Sequence, residues 1–343
     1  MRDTSRRLAT LLLAFVTFAH ASTDVESPVA PDQRRGAEQT LLTYPEWFLV
    51  HSPAEYATWV AGHPSHDFPF IAHVGQLWGS YAAVTREQWR ERYPSNLGYH
   101  VMILVIASST TVEYGLRSAY ENVAGRIGWA LSSGTLTPED RYGARVAQDY
   151  VDFIRKDPWY LFDFTARLRD LWTAVPLVGA DPIRKWERRY ALTTEYAVKA
   201  VYGKLIELAT RSAYEPARPT TQVVVDHAPD ALPEGVGLVR TLDDGRAVLD
   251  LPRYFDFRLA ATALARSGSH LVDVAGNRRT ILVTLTTRDA VALPDGSRVL
   301  FEQPIVTKPG TRRVGALVPV TALSSLLADA PARGASIEHV YDY

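Results

Sequence analysis

The chain has 343 residues, no cysteine, 37 basic against 38 acidic side chains and a formal net charge of −1. That balance gives no electrostatic basis for binding nucleic acid. Without cysteine there is no disulfide framework, so stability has to come from the cores, and the length suffices for two domains with sizeable ones.

The first 21 residues read as a secretory signal: Arg2, Arg6 and Arg7 precede an apolar run from Leu8 to Ala19, and Ala19-His20-Ala21 is a small-x-small cleavage site. The mature chain is therefore expected to start at Ser22 and to be exported to the periplasm or cell envelope. Residues 22–36 are polar and proline-bearing and read as a flexible lead-in.

Residues 37–213 carry helical signals, and all 8 tryptophans fall here, between Trp47 and Trp186. Thr43-Tyr44-Pro45 and Ser52-Pro53 each place a proline where a helix opens. Thr85 to Gln88 has the capping-box spacing. Thr137-Pro138-Glu139-Asp140 and Asp181-Pro182 start two further helices, the second a long one. The count is six to eight helices, a bundle-like class. The most apolar stretch runs from Leu97 to Ala107, and the first charge after Arg92 is Glu113. It is shorter than the ~20 residues of a membrane span. Being apolar all round, the helix from 97 to about 131 is expected to sit buried at the centre of the others.

Residues 214–222, with Pro216 and Pro219, read as a linker. From 223 to 343 the pattern becomes α+β. Asp243-Asp244-Gly245 between apolar runs is a hairpin signal. Strands are expected over 270–274, 280–286, 299–306, 313–318 and 336–341, with helices over 259–266 and 321–330. Arg246…Pro252…Arg266 and Arg313…Pro319…Arg333 share the order strand, proline, helix, arginine-small turn. Two such units point to a small antiparallel α+β domain and suggest a ferredoxin-like sandwich.

Chemistry is harder to find. Glu113 and Arg117 lie one turn apart on the central helix, on the face of Met102, Ile106 and Tyr120. They read either as a carboxylate poised for acid catalysis in an apolar bundle or as an ion pair that stitches helices. Asp149, Asp152, Glu187, Glu195 and His100 are the groups that would meet Glu113 from neighbouring helices. The Glu-x-x-His motif of four-helix di-metal sites is absent. His63-Pro64-Ser65-His66-Asp67 offers imidazole and carboxylate in one loop, but in no zinc spacing, and a polar loop is the simpler reading. Ser267-Gly268-Ser269-His270 reads as a turn. No nucleophile elbow, phosphate loop or dinucleotide fingerprint occurs, and no cofactor is implied. Lys185, Trp186, Arg188 and Arg189 allow two readings. One is contact with a membrane surface; the other is a helix with Trp186 and Tyr190 inward and its cations in water.

Leu42-Thr43-Tyr44-Pro45-Glu46-Trp47, His51-Ser52-Pro53-Ala54-Glu55-Tyr56 and the run Trp186 to Tyr196 (WERRYALTTEY) resemble strings of a group of bacterial exported or membrane-anchored proteins of no known activity. The resemblance covers residues 40–210 and implies a cell-envelope protein. It carries no activity, cofactor or catalytic residue, and the second domain lies outside it.

The function expected is non-catalytic binding of an apolar small molecule, a lipid or an envelope protein by the helical domain. The alternatives are an enzyme centred on Glu113 and a peripheral membrane protein touching lipid through 184–190 or 97–112.

Overall fold

In the computed structural model, residues 27–210 and 218–342 are described. The expected signal sequence and part of the expected linker therefore lie outside the described residues. The N-terminal half is helical: α1 (Gln39–Val60), α2 (Phe70–Arg90), α3 (Leu97–Tyr120), a π-turn over Glu121–Gly125, α4 (Arg126–Ala130), α5 (Pro138–Ile154), α6 (Phe164–Thr173) and α7 (Pro182–Thr210). Thr137 caps α5 through a reciprocal box with Asp140, so the shorter Asp serves where Glu is usual. Pro45 and Pro53, read as two helix starts, both lie inside α1. Proline removes a donor to the preceding turn. Leu42, beside the carbonyl that Pro45 leaves without a partner, accepts a hydrogen bond from the Tyr99 hydroxyl.

The second half consists of two copies of one motif. The first is β1 (Thr220–Val225), β2 (Gly237–Thr241), β3 (Ala247–Pro252), α8 (Phe255–Arg266) and β4 (Leu271–Val274). The second is β5 (Thr280–Thr287), β6 (Arg298–Pro304), β7 (Arg312–Pro319), α9 (Val320–Asp329) and β8 (Ala335–Val340). The sheets are ordered β2-β3-β1-β4 and β6-β7-β5-β8. In both, the first strand's pairing with the fourth slips once, at Val224/Val225 and at Thr284/Leu285. The second strand's pairing with the third also slips, at Leu238/Arg240 and at Val299/Phe301. The proline-ended strand that precedes a helix is thus a repeated β-β-β-α-β unit with its own sheet, rather than half of a single ferredoxin-like sheet. β1, read as linker at its start, belongs to the first sheet.

The two units share one core, in which Val223, Leu249, Val283 and Val318 of the sheets meet Leu264 of α8 and Leu326 of α9. The helices bridge the units: Ser324 on α9 accepts from the Leu271 amide on β4 at 2.9 Å, and Arg258 on α8 donates to the Ile337 carbonyl on β8. A second core joins the halves of the chain. Leu41, Tyr44 and Phe48 of α1 and Leu77 of α2 pack on Leu282, Leu317 and Tyr341 of the second sheet's other face. The Thr40 hydroxyl fixes this seam, accepting from the Leu282 amide at 2.8 Å and donating to the Tyr341 carbonyl at 2.9 Å. The lead-in is held from Ser27 onward, where Ser27 Oγ donates to Asp273 at 2.7 Å and Val29 is buried.

Candidate functional site

Three polar or apolar features stand out, and only the first is concave. A cleft of about 260 Å³ opens where α1 meets the second sheet, lined by Trp47, His51, Glu55, Phe255, Arg313 and Glu338 among others. Arg313 on β7 is buried and holds both carboxylates. It donates to Glu338 on β8 at 2.6 and 2.8 Å and to Glu55 on α1 at 2.9 Å. His51 Nε2 lies 3.6 Å from Glu338 and 3.3 Å from the Tyr341 hydroxyl. Burial alone would raise the Glu338 carboxyl, but His51 and the Arg313 guanidinium outweigh it and hold it down at about 2. Burial wins at Glu55, whose carboxyl is raised despite the same arginine. Burial lowers His51 to about 4. Two carboxyls with opposed shifts beside a cleft are what acid–base chemistry uses, yet here both are tied to one cation. Tyr254, which leads into α8, sits at φ 62° and ψ −130°, a costly conformation for a residue with a side chain. Its neighbour Phe255 lines the cleft.

Behind this cleft runs a buried relay. Ser52 Oγ is 2.9 Å from His73 Nδ1 and 2.8 Å from the Tyr114 hydroxyl, and His73 Nε2 is 3.5 Å from Glu55. The residue types are those of a hydrolase triad, but Ser52 is 1% and His73 0% exposed, so no substrate carbonyl can reach the hydroxyl. The relay ties α1, α2 and α3 together.

The second feature is a neutral block of buried charge. Arg184, Lys185, Arg188 and Arg189 all turn inward from α7. Arg184 pairs with Asp140 and with Glu187, each at 2.8 Å, Lys185 with Glu139 at 2.7 Å, and Arg188 with Glu121 at 2.8 Å. Arg189 also reaches Glu139 and donates to the Leu171 carbonyl. The π-turn shapes this block. It widens the helix by one residue per turn, Glu121 is buried within it, and Arg184 reaches the Gly125 carbonyl at 3.2 Å. The reading with Trp186 and Tyr190 inward and the cations in water is inverted, and of Lys185, Trp186, Arg188 and Arg189, read as touching a membrane surface, only Trp186 is exposed. The cations are spent in ion pairs and cannot meet lipid phosphate, whereas Trp186 and Tyr190, expected inside, are 49% and 63% exposed.

The Glu113 group is a seam rather than a centre. Glu113 lies 3.1 Å from Lys199 and 3.6 Å from Arg117, and Arg117 and Lys199 both reach Glu195, at 3.3 and 2.8 Å. Two acids and two bases close on each other between α3 and α7. Burial raises the Glu195 carboxyl, but Arg117 and Lys199 outweigh this and hold it at about 2. Met102 is exposed, and Tyr120 instead donates to the Glu187 carbonyl at 3.2 Å. Asp149 pairs with Arg167 and Asp152 with Arg155, both on the surface. His100 is taken by Tyr81 at 2.8 Å and Gln88 at 2.9 Å. His63 stacks on Trp59 with ring centres 4.0 Å apart, while His66 is buried beside Asp67 at 3.6 Å. Among the described residues no three such side chains gather as a metal site.

The third feature departs from the buried centre expected of α3. The apolar α3 is not wrapped; only Ile103, Ala107 and Tyr114 are buried on it. Val101, Val105, Val112 and Leu116 are more than half exposed, and the line continues through Val123 in the π-turn and Ile127 on α4. On α7, Trp186, Tyr190, Val198, Val201, Leu205 and Leu208 form a second exposed line. The twelve side chains of the two lines are uncharged, and the exposed Arg126 and Lys204 flank them. No helix among the described residues is long and apolar enough to cross a membrane. Compared with known proteins, the chain matches no family model, no curated protein and no solved structure.

Proposed function

We propose that this chain is an exported protein of the bacterial cell envelope that works by binding, and that its helical half presents an apolar face to a partner. One observation carries the reading: the two uncharged lines on α3 and α7, over half exposed along most of their length. Monomeric proteins rarely leave contiguous apolar patches of more than a few hundred Å² in water. The complete internal pairing of Glu113, Arg117, Glu195 and Lys199 argues against an enzyme centred on Glu113. Native mass spectrometry of the protein taken gently from envelopes tests the proposal. The expected result is an additional bound mass, whether lipid, protein or another copy, that is lost when Leu116 and Val198 are both changed to Glu. A parent that carries no added mass, or one whose added mass survives the double change, would overturn it.

A further inference from the structure

We infer that the face of α3 and α7 is a self-association surface, and that two copies meet there as a four-helix layer. The inference rests on the binding role proposed above and names the partner as a second copy of this chain. Glu113 faces Lys199, Arg117 faces Glu195, and the Tyr120 hydroxyl faces the Glu187 carbonyl. Numbers rise on α3 as they fall on α7, so the helices are antiparallel. The exposed Val112 and Leu116 each precede a seam residue by one position, as Val198 precedes Lys199. One residue is a turn of about 100°. On two antiparallel helices the same offset points both lines to the same side. They therefore make one face, with the salt-bridged seam at its back.

Its size suits a dimer. The twelve large side chains of the two lines are each about half exposed or more. At on the order of 100 Å² apiece they offer about 1,200 Å² per copy, above the roughly 800 Å² per partner of a standard stable interface. A face of two antiparallel helices is self-complementary under a two-fold axis and closes into a four-helix arrangement without leaving an open end. Charge argues against lipid as the occupant. Helices that lie on a membrane surface turn Lys and Arg toward the headgroups, whereas Arg184, Lys185, Arg188 and Arg189 of α7 turn into the protein.

The absence of cysteine makes the test clean. Light scattering on the purified full chain should give twice the chain mass, and the Leu116→Glu, Val198→Glu double variant should give the single mass with an unchanged circular dichroism spectrum. Leu116→Cys should cross-link to a dimer on mild oxidation, and Leu238→Cys, on an exposed strand of the first sheet, should not. A monomeric parent that floats with phosphatidylglycerol–phosphatidylethanolamine vesicles, and a double variant that does not, would overturn self-association while leaving the apolar face as a binding surface. A monomer that ignores vesicles would overturn self-association and lipid binding together, and the absence of any added mass from envelopes would overturn the binding role as well. Equal cross-linking of the two cysteine variants would overturn this face as the surface where the copies meet.

Discussion

At the scale of single residues, burial decides which charges matter. Glu139 is fully buried between Lys185 and Arg189, so Glu139→Ala leaves two cations without their counter-charge and should cost about 3–5 kcal/mol. Glu113 is 41% exposed, and its two cations keep Glu195 when it is removed, so Glu113→Ala should cost about 1 kcal/mol or less. Thermal melts of the two variants check this; equal losses would show that the seam is as buried as the block. Histidine sets a pH limit. His51 and His73 are buried, and burial lowers both to about 4 against an ordinary 6.5. Below 6.5 the unfolded chain takes up protons that the folded chain refuses. The share of stability carried by these rings is therefore full above pH 6.5 and falls as pH drops toward 4, by on the order of 3 kcal/mol per ring, while buried Asp342, raised to about 8, acts in the opposite sense over the same range. Melting temperatures of the parent and His73→Gln between pH 7 and pH 4.5 check this: the variant should lose less stability on acidification, and equal slopes would show that the ring charges freely in the folded state.

At the scale of elements, much was legible and the failures share a cause. Caps and prolines gave the starts of α5 and α7, and the Asp243-Asp244-Gly245 turn gave the β2–β3 hairpin, because these signals are local. The two prolines inside α1 misled, because α1 is held from outside by sheet contacts that outweigh a missing amide bond. α3 misled most. Apolar periodicity reports that a face leaves water, but not whether the cover is in the same chain. The run of Arg184 to Arg189 misled in the opposite sense, since four cations on one helix read as solvated unless their acids are visible, and Glu121, Glu139 and Asp140 lie far away in sequence. The π-turn carries a prediction of its own. A Cβ at Gly125 would stand 2.3 Å from a Glu121 carboxylate oxygen and 3.4 Å from His66 Cβ. Gly125→Ala should therefore destabilise by about 1–3 kcal/mol, as overpacking does, although alanine ordinarily favours a helix by up to ~1 kcal/mol. A Gly125→Ala protein as stable as the parent would show that the Glu121–Arg188 pair has room to move.

At the scale of the whole molecule, the repeat explains why the halves depend on each other. Each β-β-β-α-β unit has an inner sheet face in the common core and an outer face that needs cover. On the first unit, residues 27–35 provide it: the Ala30 amide donates to Gln222 at 3.3 Å and the Arg35 amide to the Ala275 carbonyl at 2.8 Å. On the second unit, α1 and α2 provide it. Arg246 and Arg313 occupy corresponding places in the echo, yet Arg246 pairs with nearby Asp244 in partial exposure, while Arg313 is sealed under α1 by Glu55. The cleft thus exists only because the helices have settled on one of two similar sheets. A fragment of residues 218–343 would expose Leu282, Leu317 and Tyr341, which are all but fully buried in the whole chain, along with the partly buried Phe301. At about 1.5–3 kcal/mol for each large side chain returned to water, the loss is comparable to the 5–15 kcal/mol that holds a typical domain together. The fragment should therefore bind hydrophobic dye and melt without cooperativity, and adding residues 27–90 in the same chain should restore a sharp transition. A fragment that melts sharply by itself would show that the α1–sheet seam is a contact between independent domains, and the Glu55–Arg313–Glu338 cleft would then belong to a movable interface.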